Sequence, residues 1–384
     1  MKILIVTSLF PLHPQDKNGK FIYDSILALH ALGHEIKVLV TQTWKPFKKK
    51  IQLDQFPNWL EIKICHFPGL PRYHLFSFSI FSYKLFISPV IRQMVTKWKC
   101  DLMHVHSEVQ TLAVVNVGKS LNIPVITTIH GAETTKRYWK AASKTISQGL
   151  KKVDRVVLVG HPIKKVFDKL VSCDSHFRII YNGFDAPATI YEQQPLAWSK
   201  KVKLVSVCNL TDDGKGIDIN LHALAKLRKQ GFIDWNYTIV GDGSFRTEFE
   251  SLVQSLELIE HVQFVGACNH NIVFEHLLAA NIFCLPSYCE AFGIAHLEAM
   301  ASGLLVIGVK GQGPEIFVTH DQTGLLVAPK NIDALVDCLK YAFINPKKMQ
   351  TLALKGKKLA WENFTWQHHA KQLDSVYQEL ITLS

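Results

Sequence analysis

Short apolar runs alternate with longer amphipathic stretches along the whole chain. Runs of strand length fall at 2–7, 35–40, 101–105, 124–129 and 153–158. They resume at 203–208, 236–240, 262–265, 281–285 and 304–308. Between them, segments such as 21–32 and 108–120 space their apolar residues as helices do. Strand and helix in strict alternation predict an α/β fold of parallel sheets covered by helices. A looser, polar, proline-containing stretch near 184–200 interrupts the pattern. Two rounds with one break predict two α/β domains, 1–190 and 191–364, followed by an amphipathic helix in 365–384. Open sheets of this class bind ligands beyond the carboxyl ends of their strands. The residues just after each strand are therefore the ones to inspect, and two such domains face to face would share a cleft.

The 384 residues are 48% hydrophobic and 20% charged, which suits a globular protein with a substantial core. The net charge of +11 is uneven. Residues 1–190 hold 26 Lys+Arg against 12 Asp+Glu, whereas the remainder hold 17 against 20. The basic first half predicts an anionic partner for that half alone. Eight dispersed cysteines with no CxxC pair favour a reducing, cytoplasmic compartment. The N-terminal MKILIVTSLFPLHP reads as a first strand, and no Cys/His cluster or HExxH marks a metal site.

Residues 67–99 add a membrane question. Positions 75–91 are mostly apolar with one internal charge, Lys84. Seventeen positions fall at the short limit for a span, and Pro89 weakens that reading further. The segment is expected to lie along an anionic membrane surface with Lys84, Arg92, Lys97 and Lys99 at the headgroups, aided by the basic run WKPFKKK at 44–50. A helix packed between core and solvent is the plainer alternative.

The strongest chemical signal is residues 281–303, NIFCLPSYCEAFGIAHLEAMASG. A buried strand runs into a short loop carrying Glu290, and a helix opens near Gly293. Glu298 falls about one turn into that helix, where a carboxylate can grip vicinal hydroxyls. The backbone N–H groups of Phe292, Gly293 and Ile294 open the helix, and a helix N-terminus attracts anions. Gly293 lets the backbone approach a phosphate closely.

This segment resembles the retaining glycosyltransferases of family 4, which have the GT-B fold of two Rossmann-like domains facing across a cleft. The resemblance runs along almost the whole chain: VDRVVLVGHPIKKVF, IIYNGFD, LVSVCNLTDDGKGIDINLHAL, YTIVGDGSFRTEFESL and GPEIFVTHDQTGLLV stand in the family's order around the two-glutamate motif. It implies a nucleotide-sugar donor, UDP- or GDP-linked, with no cofactor or metal. It implies that Glu298 binds the donor's ribose, that Glu290 contacts the donor sugar, and that the N–H groups at 292–294 hold the sugar or its phosphate. Lys215 matches the lysine that neutralises the diphosphate, where negative charge develops on leaving. In the first domain His130, just after a strand in ITTIHGAE, matches a histidine near the reacting sugar. His106, at the end of DLMHVH, is a candidate for meeting the acceptor. Gly19 matches a glycine loop after the first strand. The C-terminal helix should pack back on the first domain.

Two positions depart from the family. Asn209 stands where an arginine is usual, so diphosphate binding is weaker or borrows charge from Arg246 or Lys310. Gly19 is followed by Lys20 rather than by a second glycine, which would bring a charge toward a donor or acceptor phosphate. The expected function is transfer of a sugar to a lipid-linked or surface-polysaccharide acceptor, peripherally at the cytoplasmic membrane face. The alternative is a catalytically inactive, sugar-nucleotide-binding relative. A nicotinamide-dependent enzyme lacks support, because GxGxxG is absent after the first strand. No nucleic-acid-binding module is recognisable.

Overall fold

The computed structural model describes residues 1–44, 50–69, 76–131, 136–167, 176–211 and 213–382. Most of the basic run at 44–50, part of the 67–99 segment and Cys173 lie outside the described residues. The chain forms two compact units, Met1–Gly183 with Trp366–Ser384, and Phe184–Thr365.

The first unit begins with β1 (Lys2–Thr7), α1 (Lys20–Ala31), β2 (Glu35–Thr43), β3 (Glu61–Phe67), α2 (Phe76–Trp98), β4 (Leu102–His106), α3 (Thr111–Leu121) and β5 (Val125–Ile129). It continues through α4 (Lys136–Lys152), β6 (Arg155–Leu158), α5 (His161–Phe167) and β7 (Phe177–Ile179). Its seven strands form one sheet in the order β3-β2-β1-β4-β5-β6-β7, with every pairing parallel. Residues Ile3 to Val6 of β1 are fully buried, as strands covered on both faces require.

The second unit carries α6 (Thr189–Glu192), β8 (Val202–Val207), α7 (Ile217–Lys229), β9 (Trp235–Val240), α8 (Arg246–Ser255), β10 (Val262–Gly266) and α9 (His270–Leu278). It ends with β11 (Ile282–Cys284), α10 (Ile294–Ala301), β12 (Leu305–Val309), β13 (Leu325–Val327), α11 (Ile332–Ile344) and α12 (Pro346–Asn363). Its six-stranded parallel sheet runs β10-β9-β8-β11-β12-β13. Both sheets have the Rossmann-like order, reversing direction between the first and fourth strands of the unit. At that reversal the loops diverge to opposite faces and leave a crevice at the strands' carboxyl ends. In the first unit it lies beside Thr7 and His106, and in the second beside Val207 and Cys284.

Helix starts follow local chemistry. Asn269 caps α9 by accepting from the Ile272 N–H at 3.0 Å, and Asn331 caps α11 through Ala334 at 2.9 Å. The chain then returns to the first unit as α13 (Trp366–Thr382). Its buried Trp366, Ala370, Leu373, Val376, Tyr377 and Leu380 follow helical spacing and join Ile22, Ile26 and Leu29 of α1 in one core cluster. In α2 the buried Ile87, Ile91, Met94 and Val95 face inward, while Phe81, Leu85 and Phe86 are exposed.

Candidate active site

In the second unit, the loops after β8 and β11 are tied together at the crevice. The turn Asp213–Lys215 offers the Gly214 carbonyl to both the Ser287 hydroxyl and the Tyr288 N–H, each at 3.0 Å. Gly216 follows in a left-handed conformation, φ 71°, as the cap of α7. A Cβ there would lie 2.5 Å from the Pro286 carbonyl oxygen, so only glycine allows this approach. The crossing brings Lys215 Nζ to 2.9 Å from Glu290 Oε2. Glu290 is itself held at its backbone: its N–H donates to Gln312 Oε1 and its carbonyl accepts from the Gly313 N–H, both at 2.9 Å.

Gly293 caps α10 with φ 94° and no side-chain cap. Phe292 is buried, with its ring against Phe317, so it anchors the loop and offers the site only its backbone. The first N–H groups of a helix have no intrahelical acceptor, which leaves the start of α10 as a donor edge beside Glu290. His296, one turn in, bonds through Nε2 to the Leu285 carbonyl at 2.9 Å. Burial pushes its pKa down to about 4, so it supports the loop as a neutral ring. Glu298 is 8% exposed and places Oε1 3.7 Å from His270 Nε2. His270 donates to the Asp185 carbonyl at 2.8 Å.

Asn209 is exposed just beyond β8. The cation suggested as its substitute, Arg246, is engaged by Glu250 at 2.7 Å and Asp242 at 3.4 Å. Lys310 is exposed after β12. Lys330 holds its ammonium 4.0 Å from the ring centroid of Tyr288, the residue bonded to Gly214. A second positive charge thus stands beside the Tyr288 loop, a position that pattern reading had not suggested.

The first unit gathers its own set. Gly19, φ 79°, caps α1, and a Cβ there would meet the backbone of Leu9 and Phe10 at 3.0 Å. Lys20 Nζ is paired with Asp24 at 2.6 Å, so its charge is compensated within α1. His130 follows β5 and packs against Phe21, ring centroids 4.5 Å apart. His106 Nδ1 lies 2.7 Å from His130 Nε2. Burial is the main force lowering the pKa of both rings, His106 to about 3 and His130 well below the ordinary value. His104 is fully buried and bonds to Tyr377 Oη at 2.6 Å and Thr128 Oγ1 at 2.7 Å. His369 bonds to Ser25 and to the Tyr181 carbonyl.

Sequence reading missed Gln312, His270, Asp185, Lys330 and the hydroxyls that hold His104. Gln312 was within reach of the strand-end rule, since it follows β12. Asp185 and His270 are 85 residues apart in sequence, and only the fold joins them. Among the described residues, no cluster of side chains suits a metal ion.

Comparison with known proteins gives a consistent picture. The family model described as Glycosyltransferase Family 4 matches residues 19–186, and Glycosyl transferases group 1 matches 189–359. The alpha-monoglucosyldiacylglycerol synthase of Acholeplasma laidlawii is 24% identical over 385 residues, covering 92% of this chain and 91% of the relative. Among solved structures, sucrose-phosphate synthase from Thermosynechococcus elongatus superposes with a TM-score of 0.79 at 20% identity, covering all of both chains. Anabaena HepE in complex with UDP-glucose gives 0.75 at 16% identity, covering 99% of this chain and 100% of that one. With the two family models in tandem over two Rossmann-like units, the chain belongs to the GT-B glycosyltransferases of family 4.

Proposed function

We propose that this enzyme transfers a sugar, with retention of anomeric configuration, from a UDP- or GDP-linked donor to a lipid-linked or surface-polysaccharide acceptor. The observation that carries this reading is the Lys215–Glu290 pair at the crevice of the second unit, beside the N-terminus of α10. Lys215 meets the charge that grows on the leaving diphosphate. Lys330 supplies part of the charge that Asn209 lacks. Glu290 and the N–H groups of Phe292, Gly293 and Ile294 hold the donor sugar and its phosphate, and Glu298 holds the ribose. In the first unit His130 serves the reacting sugar, and the backbone at Gly19 allows close approach. No cofactor takes part in this reading. The UDP-glucose complex of HepE and the lipid-named product of the Acholeplasma relative support the donor and acceptor classes.

The same reading puts the first unit against an anionic membrane. Phe81, Leu85 and Phe86 are exposed on α2 with Lys84 among them, in the more basic half of the chain. No helix among the described residues is long and apolar enough to cross a membrane.

A thermal-shift screen against UDP, GDP, ADP and CMP sugars tests the donor class, because a ligand that binds only the native state raises its apparent stability. Product stereochemistry, read by NMR, tests the mechanism, and an inverted anomer would refute it. Nucleotide binding with neither transfer nor hydrolysis would favour an inactive binding protein instead.

A further inference from the structure

We propose that His106 is a positioning residue that fixes the ring of His130 for a hydroxyl of the transferred sugar, an inference that rests on the role given to His130 above. The two rings are nearly parallel, 14° apart, with Nδ1 of His106 2.7 Å from Nε2 of His130. A neutral imidazole has one N–H and one lone pair. A bond between two ring nitrogens therefore needs one donor and one acceptor, and two cationic rings could not make it. The tautomer of His106 thereby dictates that of His130.

His106 is held in turn. Its ring stacks on that of His104 with centroids 4.2 Å apart, and both nitrogens of His104 are bonded, to Tyr377 of α13 and to Thr128 of β5. His130 is thus fixed at Nε2 by His106 and along its ring by Phe21. Its Nδ1 is enclosed and has no hydrogen-bond partner among the described residues. An enclosed ring nitrogen in that condition carries a desolvation penalty until something pairs with it. A sugar hydroxyl can donate or accept, so it can pair with that nitrogen, and a single fixed tautomer holds the hydroxyl in one hydrogen-bonding sense where a mixture would not. Burial keeps both rings neutral, which preserves the donor–acceptor pair at physiological pH. On this account His106 touches no substrate and acts only through His130.

The test uses the full chain labelled with 15N-histidine, with His130 assigned by the loss of its signals in His130→Gln. One neutral tautomer of His130 is expected in the wild type and in His106→Asn, whose amide places a hydrogen-bonding atom near the former Nδ1. A mixture is expected in His106→Leu, and an unchanged tautomer there would overturn the proposal. UDP release from UDP-glucose is followed on the same proteins. His106→Leu should lower kcat about tenfold, His106→Asn should restore most of it, and donor KM should stay within about twofold. Wild-type turnover in His130→Gln would sink the role of His130 and this inference together. Slow turnover in His130→Gln beside normal turnover in His106→Leu would sink this inference alone.

Discussion

Lys215 and Glu290 are 75 residues apart in sequence and 2.9 Å apart in space, the lysine ammonium capping one carboxylate oxygen of the glutamate. On the proposed function, this pair is the one that a donor diphosphate would have to part, taking the place of Glu290 on Lys215. Charge-assisted contacts of this kind are worth about 1.5–3 kcal/mol.

Removing either partner should therefore slow the chemistry more than it weakens donor binding. Lys215→Ala and Glu290→Gln are expected to lower kcat by about 10- to 150-fold with a smaller rise in donor KM. Glu298→Ala should do the reverse, because contacts to the ribose change little as the glycosidic bond breaks. Steady-state kinetics with the donor found by screening separates the cases. Wild-type rates in both Lys215→Ala and Glu290→Gln would show that the site lies elsewhere.

Gly216 should be less replaceable than Gly311. Both have positive φ, 71° and 77°. A Cβ on Gly311 meets nothing within 4 Å, whereas one on Gly216 runs into the Pro286 carbonyl. Gly311→Ala should cost about 1–2 kcal/mol from the left-handed backbone alone. Gly216→Ala should cost more and also lower kcat, since Lys215 immediately precedes it. Calorimetry and kinetics on the two variants check both parts, and equal Tm losses would contradict the steric account.

Acid should destabilise the fold before its carboxylates titrate. His106, at about 3, and His369 and His296, each at about 4, have folded pKa values below the ordinary 6.5. The unfolded chain then binds protons first as pH falls. Stability is full above about pH 6.5 and is lost as pH falls toward 4, with each histidine contributing at most about 1.4 kcal/mol per pH unit. Thermal melts between about pH 7 and 5 should show Tm falling, and His369→Gln should flatten the slope. A Tm constant across that window would refute the burial of neutral histidines.

Binding to vesicles should depend on charge and on the exposed face of α2. Each basic residue near an anionic surface contributes about 1 kcal/mol, screened by salt. Co-sedimentation should need anionic lipid, fall in high salt, and weaken in a Phe81→Ser, Leu85→Ser, Phe86→Ser triple variant. Equal partitioning to neutral and anionic vesicles would remove the membrane from the proposed function.

The long apolar runs were legible in the sequence because a strand buried on both faces leaves little choice of residue. Ile3 to Val6 and Leu305 to Val309 are such cases. The strands β7 and β13, of three residues each, were not read from the sequence. Glu290, Gly293 and Glu298 stood out because one continuous strand–loop–helix carries them. The partners that fix them did not: Gln312 reaches Glu290, and Gly214 meets Ser287 and Tyr288, only after the sheet is assembled. His106 and His130 were each visible as strand-end histidines. Their mutual bond needed the side-by-side pairing of β4 and β5.

The first unit is written in two pieces, and this sets an order of assembly during synthesis. Its core includes Trp366, Leu373 and Tyr377, which a ribosome makes only after all of Phe184–Thr365. The second unit has its whole chain in hand first and can fold while the first waits with the α13-facing side of α1 uncovered. Tyr377, which bonds His104, is made only after the whole chain of the second unit. The histidines of the first unit are thus anchored only after the second unit has been made, and a chain truncated after residue 365 would hold every residue of the second unit and a first unit that lacks α13.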